Sequence, residues 1–134
     1  MKLKKIKKKI RFLIWMMGIR NSIKPPNELK ERTIKFYQKV SRIKTLIETG
    51  TYEGEMIDAL KNKFKYIFSI ELNKELAEKA KKKFKGFKEI KIIQGDSGKE
   101  LPKILEKIDE PCIFWLDAHI VVGRLQKVKE KLLF

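Results

Sequence analysis

The segment Glu48-Thr49-Gly50-Thr51-Tyr52-Glu53-Gly54 follows a short apolar run, Thr45-Leu46-Ile47, and leads into a helix-patterned stretch. Strand, glycine turn and helix therefore meet at one place. Two glycines four positions apart let the backbone turn sharply and approach a ligand without a side chain in the way. The helix beyond offers unpaired N–H groups and the positive end of its dipole. Glu71 closes the next apolar run, 21 residues after Gly50, near the ~20-residue distance at which a βαβ unit sets a carboxylate against ribose hydroxyls. A nucleotide-like ligand is expected at this turn.

From Thr45 onward, apolar strand patterns alternate with amphipathic helices, the signature of parallel βαβ units rather than hairpins. Strands are predicted at Thr45–Glu48, Tyr66–Glu71, Ile90–Gly95 and Cys112–Asp117. Helices are predicted near Glu55–Lys63, Lys74–Phe84 and Gly98–Ile108. The start of the last helix has two readings, a capping box from Ser97 to Glu100 or a first turn marked by Pro102. With 134 residues and 43% hydrophobic content, the chain can bury roughly two-thirds of its unfolded surface in one core. The fold class expected is α/β, a partial doubly wound, Rossmann-like parallel sheet of about four strands. The single cysteine, Cys112, excludes an internal disulfide and a cysteine-based zinc cluster, which suits a cytoplasmic location.

Charge divides the chain. Residues 1–44 carry 15 Lys and Arg against Glu28 and Glu31, whereas residues 45–134 carry 18 against 15 acidic groups. In the first part Leu3, Ile6, Ile10, Leu13 and Met17 alternate at spacings of three and four, an apolar stripe on a helix otherwise covered with lysine. Its most apolar stretch, Phe12 to Ile19, is too short to span a bilayer. Residues 1–24 thus read as a basic amphipathic arm. Three roles stay open for it: packing on its own domain or on a partner, contact with RNA, or contact with an anionic membrane, the last two through residues 2–11. Pro25-Pro26 ends the arm, and Asn27 can cap a second helix to about Val40, with Leu29, Phe36, Tyr37 and Val40 on one side. A second domain is taken to run over 25–134.

Between residues 45 and 119 the chain resembles the class I S-adenosylmethionine-dependent methyltransferases. The resemblance rests on four motifs in order: Glu48-x-Gly50-x-x-x-Gly54 after the first strand, Ser69-Ile70-Glu71 at the end of the second, Gln94-Gly95-Asp96-Ser97 after the third, and Trp115-Leu116-Asp117-Ala118-His119 at the end of the fourth. It implies S-adenosylmethionine as cofactor and methyl transfer to an oxygen or nitrogen nucleophile of an unknown acceptor substrate. Glu48 would orient the glycine loop or meet the cofactor's ammonium. Gly50, Thr51, Tyr52 and Gly54 would form the loop that the methionine part lies against. Glu71 would accept from both ribose hydroxyls, Asp96 from the adenine amino group, and the Ser97 N–H would serve a ring nitrogen. Asp117 and His119 would face the reacting methyl, where either could take the acceptor's proton or hold a metal; no metal site is assigned. The loop lacks the G-x-G-x-x-G of dinucleotide folds, so it is not shaped for a pyrophosphate.

The same residues admit structural readings: a tight turn for Gly50 and Gly54, a solvated strand end for Glu71, a helix N-cap for Asp96, a structural role for His119. The family's sheet has seven strands ordered 3-2-1-4-5-7-6, whereas this sequence ends 15 residues after His119. The expectation is a truncated methyltransferase, inactive or dependent on a partner, with the fourth strand an uncovered edge inviting self-association. A one-base shift in the gene beyond codon 119 would account for the abrupt change to Ile120-Val121-Val122. The alternative is a non-catalytic binding module whose basic arm does the work.

Overall fold

The structure, a computed structural model, describes residues 27–116. Elements follow in the order α1 (Asn27–Ser41), β1 (Thr45–Thr49), α2 (Glu55–Leu60), β2 (Tyr66–Glu71), α3 (Lys74–Lys83), β3 (Ile90–Gln94), α4 (Ser97–Leu105) and β4 (Cys112–Leu116). The residue 1–24 arm, Asp117 and His119 lie outside the described residues.

The four strands form one parallel sheet ordered β3-β2-β1-β4. Thr45 pairs with Tyr66 on one side and Cys112 on the other, and Ile67 pairs with Ile90. All four strands therefore begin at one edge and end at the opposite one. β1 is central and buried at every position, as expected of a parallel strand covered on both faces. The two-residue period sorts the side chains into two cores. Leu46 and Ile67 pack with Ile34, Met56, Ile57, Leu60, Ala80 and Phe84, so α1, α2 and α3 cover one face. Ile47 and Ile70 pack with Leu101 and Ile104 of α4 on the other. Helices on both faces make the sheet doubly wound. Among the described residues β4 pairs only with β1, and its last residue, Leu116, is exposed.

Three helices depart from expectation. α1 buries Ile34, not the side bearing Phe36, Tyr37 and Val40, which are exposed. The reason is the row Asn27, Lys30 and Ile34, one face by spacing: Asn27 Nδ2 donates to Glu55 Oε2 at 2.8 Å, and the Lys30 ammonium lies 5.8 Å from the Trp115 ring centre. α2 stops at Leu60, where the Lys63 and Phe64 N–H groups both turn back to the Leu60 carbonyl. α4 starts from Asp96, whose side chain caps it as the structural reading of that residue had it, so neither Ser97 as the cap nor Pro102 in the first turn describes its start.

Arg42 follows the last residue of α1; its φ of 58° is left-handed and its N–H donates to the Gln38 carbonyl at 2.8 Å. This is the αL closure that glycine normally supplies. Arg42→Gly is expected to raise stability by about 0.5–1 kcal/mol by relieving the Cβ clash, less the extra unfolded-state entropy of glycine. A higher denaturation midpoint at unchanged slope is the expected result.

Candidate functional site

Because all four strands end at one edge, the connections that leave them emerge together there. The loop after β1, the end of β2 and the turn after β3 share this edge. Their roots are tied by backbone bonds just past the strand ends: Gly50 N–H donates to the Ile70 carbonyl at 2.8 Å, and Gly95 N–H to the Glu71 carbonyl at 2.9 Å. Glu48, Gly50, Thr51, Tyr52 and Gly54, with Glu71, are thus brought to adjoining strands, while Asp96 and Ser97 leave from the outer strand beside them.

Sheet register aligns Ser69, Glu48 and Trp115 across three strands. The Glu48 carboxylate, buried, accepts from Ser69 Oγ at 2.6 Å, and Ser69 Oγ lies 2.6 Å from Thr51 Oγ1. Both hydroxyl side chains are buried too. Glu48 therefore reaches the glycine loop through Ser69.

Glu71 is only 7% exposed. Its Oε2 accepts the Tyr52 N–H at 2.8 Å and its Oε1 the Asn73 N–H at 2.9 Å. Two backbone donors fix the carboxylate plane and neutralise part of its desolvation cost. Each carboxylate oxygen has a further lone pair, so the group remains able to accept from a pair of hydroxyls. Tyr52 reaches this contact with a φ of 49° and is exposed.

Beside these residues is a small pocket, about 90 Å³, lined by Asn27, Glu48, Gly50, Thr51, Tyr52, Glu53, Glu55, Met56 and Trp115. Whole-ligand pockets run to roughly 300–1,000 Å³. The cavity suits one end of a ligand, and its three carboxylates favour a cationic end. α2, which follows, has six residues and no side-chain cap, so the dipole it directs at the loop is small.

Gly54 has a reason besides ligand approach. Its φ is 73°, and a Cβ there would stand 2.7 Å from Phe84 Cε2. Asp96, exposed, accepts the Gly98 N–H on Oδ1 at 2.7 Å, and Ser97 is the first residue of α4. The capping role of Asp96 is thus real, whatever else its carboxylate does. Asp96→Ala is expected to cost about 1 kcal/mol, while Asp96→Asn retains the cap and most of that stability. Thermal melts of the two variants check the difference.

Sequence reasoning gave Ser69, Asn73, Asn27 and Trp115 no site role. Ser69 carried a usable signal, being a hydroxyl in an apolar strand two residues before Glu71 and hence on its face. The others depended on register and on the way α1 docks. Cys112, near the opposite edge, has its thiol pushed up to about 11 by burial and by the neighbouring Glu110 carboxylate, so it is held as an unreactive thiol. Among the described residues no helix is long and apolar enough to cross a membrane.

No protein-family model matches the sequence, and no curated protein matches it. Solved structures do. An O-methyltransferase from Bacillus cereus in complex with SAH superposes with a TM-score of 0.57 at 13% identity, over 83% of this chain and 53% of its own. SAH-bound methyltransferase PaMTH1 from Podospora anserina gives 0.54 at 16% identity, over 83% and 50%. The O-methyltransferase TomG from Streptomyces achromogenes, in complex with SAM, gives 0.51 at 17%, over 72% and 45%. The chain spans about half the length of these structures. Its described residues have the α/β fold of SAM-dependent methyltransferases over part of their chains, with a parallel sheet in the order 3-2-1-4.

Proposed function

We propose that this chain is the cofactor-binding half of a S-adenosylmethionine-dependent methyltransferase. The observation that carries the reading is the Glu71 carboxylate, buried at the carboxyl end of β2 and pinned by the N–H groups of Tyr52 and Asn73. A carboxylate held in a fixed plane beside a glycine loop suits a vicinal diol, which presents two donors to it. The fit extends along the edge. Glu48, Glu53 and Glu55 surround a pocket the size of an amino-acid end, and Asp96 stands after the neighbouring strand.

When bound, S-adenosylmethionine supplies a methyl group activated by its sulfonium. The chain's own part is to bind and orient. Glu71 would hold the ribose, Asp96 would accept from the adenine amino group with the Ser97 N–H beside it, and Gly50, Thr51, Tyr52 and Gly54 would shape the wall against the methionine part. By the resemblance, Asp117 and His119, which lie outside the described residues, would serve the acceptor, where either would take a proton from an oxygen or nitrogen nucleophile or hold a metal. Catalysis in such a site comes mainly from alignment and exclusion of water.

Titration calorimetry of the full chain tests the reading, with S-adenosylmethionine and S-adenosylhomocysteine as ligands. Saturable binding of both is the expected result. Absence of heat with either at millimolar ligand, on folded protein, would overturn it.

A further inference from the structure

The hydroxyls between β1 and β2 form a directional chain. Ser69 has one hydroxyl proton, and it is given to Glu48 Oε2 at 2.6 Å. The 2.6 Å contact between Ser69 Oγ and Thr51 Oγ1 must then be donated by Thr51. The order is Thr51 to Ser69 to the Glu48 carboxylate. All three side chains are buried, at 3%, 0% and 3% exposure, so water does not substitute for any member. Glu48 and Thr51 both line the small pocket, whereas Ser69 does not. Ser69 thus joins one wall of that pocket to another from behind.

We propose that Ser69 is a positioning residue that makes the pocket selective for ligands with a free α-amino group. The inference rests on the cofactor reading above and adds to it a residue without ligand contact. By accepting the Ser69 proton, Glu48 has its carboxylate plane fixed relative to the Thr51 loop. A carboxylate held in one orientation meets an ammonium without losing rotamer freedom on binding. Without Ser69, Glu48 would lose a donor and its register with the loop. The nucleoside part of the ligand is held elsewhere, by Glu71, whose partners are Tyr52 and Asn73 and not this chain of hydroxyls.

The separation supplies the test. S-adenosylhomocysteine carries the amino-acid end, and 5′-methylthioadenosine has the same nucleoside without it. Affinities of both are measured on the full chain and on Ser69→Ala. Ser69→Ala is expected to weaken S-adenosylhomocysteine about tenfold and to leave 5′-methylthioadenosine within about twofold, a difference of roughly 1.4 kcal/mol per factor of ten. Equal loss for both ligands would mean that Ser69 only supports the fold, and no loss for either would mean that it does not position Glu48; each overturns the proposal. Thr51→Val removes the first donor while keeping shape, and it is expected to give the same selectivity change in smaller measure. It decides the matter by the same criteria if Ser69→Ala does not fold. Should the unsubstituted chain bind 5′-methylthioadenosine but not S-adenosylhomocysteine, the proposal fails while the nucleoside site stands; should it bind neither, the cofactor reading itself is wrong and takes the proposal with it.

Discussion

Replacing Gly54 by alanine is expected to destabilise the protein by about 2–4 kcal/mol. Two costs add. A left-handed φ of 73° is unfavourable for a residue with a Cβ by about 1–2 kcal/mol. The new Cβ would also stand 2.7 Å from Phe84 Cε2 and 3.0 Å from Cζ. Phe84 cannot easily yield, because it is buried in the core with Ile57 and Leu60 and meets Phe87 edge-on at 6.4 Å. Overpacking of this kind costs about 1–3 kcal/mol. Chemical denaturation gives the number from a lowered midpoint at constant slope. Gly86→Ala serves as control, since a Cβ there meets nothing within 4 Å and only a small change is expected. In the double variant Gly54→Ala with Phe84→Leu the clash is reduced, so the combined loss should fall below the sum of the single losses. Additive losses would show that the ring is not what Gly54 accommodates.

The second large effect is on binding. Glu71→Ala is expected to weaken S-adenosylhomocysteine by about 1.5–3 kcal/mol, the usual worth of hydrogen bonds to a charged group. It would also strip the Tyr52 and Asn73 N–H groups of their acceptor, loosening the loop after β1 and the start of α3. Glu71→Gln is not a mild alternative, because its amide NH2 would face one of those two donors. Calorimetry on both variants, with circular dichroism to verify folding, reads the effect. An unaltered affinity in folded Glu71→Ala would remove Glu71 from the site.

The strands were legible because each is a short apolar run bounded by turn residues, and each observed span agrees with the expected one to within a residue. The parallel 3-2-1-4 order came with the resemblance and is the order found. The place of Glu71 at the end of its strand was legible from the apolar run it closes, and Asp96 as a cap from its place before a helix. The failures concern packing between elements. Leu29, Phe36, Tyr37 and Val40 line up on one side of α1 in the sequence, yet Ile34 is the residue that reaches the core, with Asn27 and Lys30 making contacts on its side of the helix. The early end of α2 at Leu60 reflects the turn through Lys63 and Phe64 that carries Phe64 into the core. Ser69 could not be given a partner before the register set it opposite Glu48. The reason for Gly54 depends on Phe84, 30 residues further along the chain, which local spacing cannot reveal.

The most direct measurement is a two-dimensional amide NMR titration of the full chain with S-adenosylhomocysteine, which reports location as well as binding. Saturable shifts concentrated at Gly50 to Tyr52, at Leu72 and Asn73, and at Gly95 to Gly98 are predicted, with the amides of the opposite edge, near Lys65 and Glu89, little changed. An absence of shifts at millimolar ligand, or shifts centred away from the carboxyl edge of the sheet, would contradict the account.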